Sequence, residues 1–100
     1  MILNALAWRH ATAAFAGLRD GANAIELATE ACEQTRWKSA EYIDTLAAAY
    51  AETGNFEGAV QFERRALALE AFPFEHKLLE NHLSLFLRHL PCREYFEGQL

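Results

Sequence analysis

Cysteine is scarce in this 100-residue chain, occurring only at Cys32 and Cys92. The two lie sixty positions apart with no metal-like spacing around either, which excludes a disulfide framework and suggests free thiols in a reducing, cytoplasmic setting. Positive charge is also short. Nine Lys and Arg stand against fourteen Asp and Glu, and the net charge of −5 argues against a nucleic-acid partner. No apolar run approaches the roughly 18 residues that span a bilayer, so no membrane partner is expected. Ala14-Phe15-Ala16 mimics a signal-peptide cleavage site. The segment before it lacks a basic start, and Arg9-His10 interrupts its apolar run, so that reading is rejected. Glycine-rich phosphate loops, nucleophile elbows and close carboxylate pairs in a recognisable setting are missing too. Neither catalysis nor a cofactor is therefore expected.

What the chain has is apolar content, 52% hydrophobic against 23% charged, enough for one domain over residues 1–100. From Asp44 to Leu69 the pattern is helical. Ile43, Leu46, Ala47 and Tyr50 share one face, Gly54-Asn55 breaks the helix, and Ala59, Phe62, Ala66 and Leu69 share the next. Small residues at Ala47, Ala59 and Ala66 let two antiparallel helices approach closely, with Tyr50 and Phe62 filling the space between. The first third repeats this. Leu3, Leu6, Ala7 and His10 precede their counterparts by 40 positions, whereas Ala24, Ile25, Leu27, Ala31 and Cys32 precede theirs by 35. The first repeat thus carries a five-residue insertion around Thr12 to Leu18.

Helices are predicted over residues 2–14, 21–35, 39–53, 56–71 and 74–89, with Asp20, Ser39 and Asn55 as N-caps. Pro73 stops the fourth, and the fifth ends before Pro91. The tail from Cys92 to Leu100 is too short for a defined element.

In the order Leu46-Ala47, Tyr50, Gly54, Ala59, Ala66 this hairpin resembles a tetratricopeptide repeat. Leu6-Ala7-Trp8, Arg19-Asp20-Gly21, Ala31-Cys32, Thr35, Trp37, Tyr42 and the run Asp44 to Glu52 are similar to a bacterial subgroup of that family. The resemblance covers roughly residues 3–72 and implies an all-α, superhelical domain. It would comprise one repeat over about 2–35, a second over about 39–71 and a C-terminal helix over about 74–90. It also implies a protein-interaction scaffold binding a protein or peptide. The family's groove positions fall on Met1, Asn4, Trp8, Ala11 and Thr12 in the first repeat and on Glu41, Asp44, Ala48, Ala51 and Glu52 in the second. Read functionally, this is a shallow groove floored by Trp8 that suits a peptide carrying a basic residue. Read otherwise, it is a solvated acidic face.

Cys32 occupies the slot of Leu67 and reads as a buried hydrophobe, which leaves Cys92 as the thiol expected at the surface. His89 before it invites a Cys–His nucleophile, but nothing nearby supplies an oxyanion site. His76, His82, His89 and Cys92 could be proposed as metal ligands. His82 and His89 are about 10 Å apart along one helix, so they cannot hold one ion without a second element or chain. No metal site is predicted from them. On the fifth helix Leu79, Leu83, Phe86 and Leu90 form one stripe, flanked by Leu87, Leu78 and Leu85. The apolar arc spans about 200° and includes His82 and His89, wider than a capping helix needs. Either the extra leucines pack on the loop near Phe15 and Leu18, or the chain is a homodimer. Leu78, His82, Leu85 and His89 would then lie in the interface.

Overall fold

Side-chain caps fix where the helices begin. In the computed structural model, which describes residues 2–14 and 16–93 and all their side chains except that of Leu18, the carboxylate of Asp20 accepts from the Asn23 N–H. Ser39 Oγ accepts from the Tyr42 N–H and Asn55 Oδ1 from the Gly58 N–H. Each takes one of the amide groups that a helix start leaves without an internal partner. The readings placed on Met1, Phe15, the Leu18 side chain and the tail beyond Arg93 lie outside the described residues.

Among the described residues the helices are α1 (Ile2–Thr12), α2 (Gly21–Gln34), α3 (Ala40–Glu52), α4 (Phe56–Leu69) and α5 (Pro73–Leu87), with one 3-10 turn at Ala16–Leu18. The expected all-α class is what the structure shows. Helix ends differ in informative ways. α1 stops at Thr12, two residues early, because Arg19 donates to the carbonyls of Ala13 and Ala14 and the Asp20 N–H to that of His10. Pro73 does not stop α4, which already ends at Leu69 with Glu70 as its cap. It opens α5, at a position where a missing N–H leaves no bond unmade.

α2 packs against α1 and α3, and α4 against α3 and α5. α1, α3 and α5 run parallel: Asn4 meets Glu41 and Asp44 meets His82, while further along the three helices Ala11, Ala51 and Phe86 share one cluster. α2 and α4 run antiparallel to them on the other side. α3 is therefore flanked by all four other helices, and Ala47, Ala48, Ala49 and Ala51 are all buried. Alanine suits this place, because larger side chains would hold four neighbouring helices apart. Ala24, Ala28, Ala31, Ala59 and Ala66 are buried at the facing contacts. The rings of Tyr50 and Phe62 stack at 5.3 Å between α3 and α4, as expected. The parallel with the first repeat fails at Leu6, which is exposed where Leu46 is buried. α3 has helices on both flanks, whereas α1 has them on one.

On α5 the predicted stripe divides. Leu79 and Phe86 are buried and Leu83 half-buried, but Leu90 lies past the end of the helix and is exposed. Cys92, expected at the surface, is instead buried beside Phe86 and Ala51, because the segment after α5 folds back over the end of α3.

Candidate functional site

α1, α3 and α5 border an open cavity of about 390 Å³ lined by Asn4, Ala5, Trp8, Glu41, Asp44, Thr45, Leu78 and His82. Parallel helices place corresponding turns side by side, so the side chains that project between them come from three distant parts of the sequence. Glu41 is exposed at the rim, where one of its carboxylate oxygens accepts from Asn4 Nδ2 at 3.5 Å. Deeper in, Asp44 is buried, and its Oδ1 accepts from His82 Nδ1 at 2.8 Å. The indole of Trp8 lies 5.6 Å from the His82 ring, tilted by 36°, and forms a wall.

Below Asp44 is Glu63, on the face of α4 turned into the core and fully buried. Burial first, and then the neighbouring Asp44 charge, push its carboxyl up to about 11, so Glu63 is protonated at neutral pH. The two carboxyls are close enough to share a proton, although neither Glu63 oxygen meets hydrogen-bond geometry with any partner. Asp44, Glu63 and His82 each offer one donor atom, and these atoms all lie within 4.8 Å of one another. The floor of the cavity is thus a pair of neighbouring carboxyl groups with an imidazole beside it.

Four groove positions read from the sequence, Asn4, Trp8, Glu41 and Asp44, come together here. Four do not. Thr12 is buried, its hydroxyl donating to the Trp8 carbonyl at 2.8 Å, and Ala48 and Ala51 are buried in the cluster that contains Phe86 and Cys92. α5 and the segment after it occupy that half of the face. Glu52 is ion-paired with Arg19 at 3.5 Å and Arg93 at 2.8 Å, so its charge is not offered to a ligand. Of the positions read as self-association residues, Leu78 and His82 line the cavity. Leu85 is half-buried against the core, and the His89 ring stacks on Phe56 at 5.1 Å. His76 pairs with Glu80, so the three α5 histidines point to three different partners and make no common metal site.

Glu63 was not anticipated, yet it left a signal. It falls on the apolar stripe of α4, four residues after Ala59 and three before Ala66, where a charged residue needs a buried partner. Comparison with protein-family models, curated proteins and solved structures finds no match.

Proposed function

We propose that this chain is a protein-interaction module of the tetratricopeptide kind, whose cavity takes a basic side chain from an extended or helical partner peptide. The observation that carries the reading is the cavity itself. Its opening is bordered by the exposed Glu41 and the amide of Asn4, its wall by Trp8, and its floor by Asp44. A lysine or arginine fits this arrangement, with its apolar stem along Trp8 and Leu78 and its charge between two carboxylates. The antiparallel helix hairpins joined in series, with alanines at the crossings, support the scaffold part of the reading. Isotope-labelled protein titrated with an arginine-bearing peptide should show its largest chemical-shift changes at Asn4, the Trp8 indole, Glu41 and Leu78. Changes confined to α2 and α4 would contradict it.

A second reading, self-association through α5, is favoured by one observation. Phe74 at 72% and Leu87 at 54% exposure, with Leu78, leave much of that helix's apolar arc uncovered. Under this reading the protein runs as a dimer in light scattering.

A further inference from the structure

We propose that Asp44, Glu63 and His82 form a binding site for one divalent transition-metal ion, Zn²⁺ by preference, with an open coordination position facing the cavity. The three residues come from α3, α4 and α5, and their donor atoms all lie within 4.8 Å of one another. Around a single tetrahedral zinc, bonds of about 2.0–2.2 Å place donors roughly 3.3–3.6 Å apart, so side-chain rotations that draw the donors together complete the set. The independent observation is Glu63. Its side chain is wholly buried, and both its oxygens lack a hydrogen-bond partner, a condition that protein interiors rarely leave unanswered. A cation between Glu63 and Asp44 supplies the missing partner.

Charge and donor type select the ion. Binding displaces the Glu63 proton to solvent through the cavity, and two carboxylates and a neutral imidazole around a divalent cation then give a site with no net charge, which suits burial. A monovalent ion would leave a negative charge there. Calcium requires six to eight oxygens and magnesium a near-octahedral oxygen shell, whereas one nitrogen and two oxygens match zinc. Asp44 and His82 line the cavity and Glu63 lies beneath them, so the fourth position opens toward Trp8 and solvent. The site does not rest on the peptide reading, but it uses Asp44, so bound metal and a bound basic side chain would compete.

The test uses the full chain, stripped with chelator and then titrated with Zn²⁺ by calorimetry without peptide, and with Co²⁺ as a visible-absorption probe. The expected result is one equivalent bound, intense four-coordinate cobalt bands, and a thermal midpoint raised by Zn²⁺. Glu63→Gln keeps the shape and removes the charge. It should weaken binding by at least about 10–100-fold, the loss seen when even a supporting group is removed. His82→Gln should do the same while circular dichroism reports its fold, and His76→Gln, on the exposed part of α5, should change nothing. No stoichiometric binding, as expected of a proton-sharing triad, overturns the site. Equal binding by Glu63→Gln or His82→Gln, or loss of binding in His76→Gln, overturns it too.

Discussion

Glu63 stands between Phe62 and Ala66 in the interior, and its carboxyl keeps a proton that the unfolded chain releases near pH 4.5. The sign follows from that difference. Folded and unfolded chains are equally protonated in acid, and the folded form alone retains the proton up to about pH 11. Stability attached to this group is therefore fully present below pH 4.5 and declines as pH rises, by up to about 1.4 kcal/mol per pH unit. In chelator, Glu63→Gln should match the parent protein at pH 4.5 and exceed it increasingly toward pH 8. Denaturant midpoints at the two pH values check this, and a difference independent of pH contradicts it. Cys32 behaves likewise. Burial pushes its thiol up to about 11, against a smaller opposing pull from Arg65, and Cys92 is buried too. Both should resist a thiol-specific reagent at pH 8 and react only on unfolding; rapid reaction of either in the native protein would be a contradiction. Cys32 was legible because it repeats the slot of Leu67. Cys92 was not, since its cover comes from the chain's own return over α3. Arg36 and Trp37 were also illegible, since both have left-handed backbones, with φ of 55° and 59°. Such angles are unfavourable without glycine. At Trp37 the ring stacks on Phe62 at 6.0 Å and lies under the Arg65 guanidinium at 4.8 Å, contacts that offset the strain.

Helix starts were legible because a capping side chain is a local device, and Asp20, Ser39 and Asn55 all perform it. Crossings were legible through alanine. Ala66 is fully buried in the cluster with Ala28, Cys32, Ile43 and Leu46. Adding three carbons there separates α4 from its neighbours, with strain of about 1–3 kcal/mol. Ala66→Leu should therefore lower the thermal midpoint by several degrees, since 1 kcal/mol corresponds to roughly 4–8 °C in a domain of this size. An unchanged midpoint would mean that the helices do not meet at that alanine. The path of α5 was less legible. Its hydrophobic arc marked Leu79 and Phe86 for burial, but periodicity within one helix says nothing about which neighbour it crosses. That crossing decides the site, because it carries His82 to Asp44 and roofs Ala48 and Ala51.

At the scale of the whole molecule, half of the expected groove is filled and half remains. Residues 88–93 return over the end of α3, where Arg93 and Arg19 hold Glu52, so acceptor charge is concentrated at Glu41 and Asp44. The 40-residue offset in the sequence singled out those two acids, and missed the partners that α4 and α5 add. The uncovered residues of α5 bear on assembly. If they form the interface, light scattering at micromolar concentration should give twice 11.3 kDa, and Leu78→Glu with Leu87→Glu should halve it; a parent protein at 11.3 kDa contradicts dimerisation. The central claim is that the cavity between α1, α3 and α5 receives a basic side chain. Its most direct measurement is calorimetric titration, in chelator, of an arginine-bearing peptide and its glutamate-bearing counterpart into the parent protein and Glu41→Lys. Glu41 is exposed at the rim, so reversing its charge leaves the packing untouched. The account predicts micromolar binding of the arginine peptide, none of the glutamate peptide, and at least a tenfold loss in the variant, about 1.4 kcal/mol. Equal binding of the two peptides, or an arginine peptide indifferent to Glu41→Lys, would contradict it.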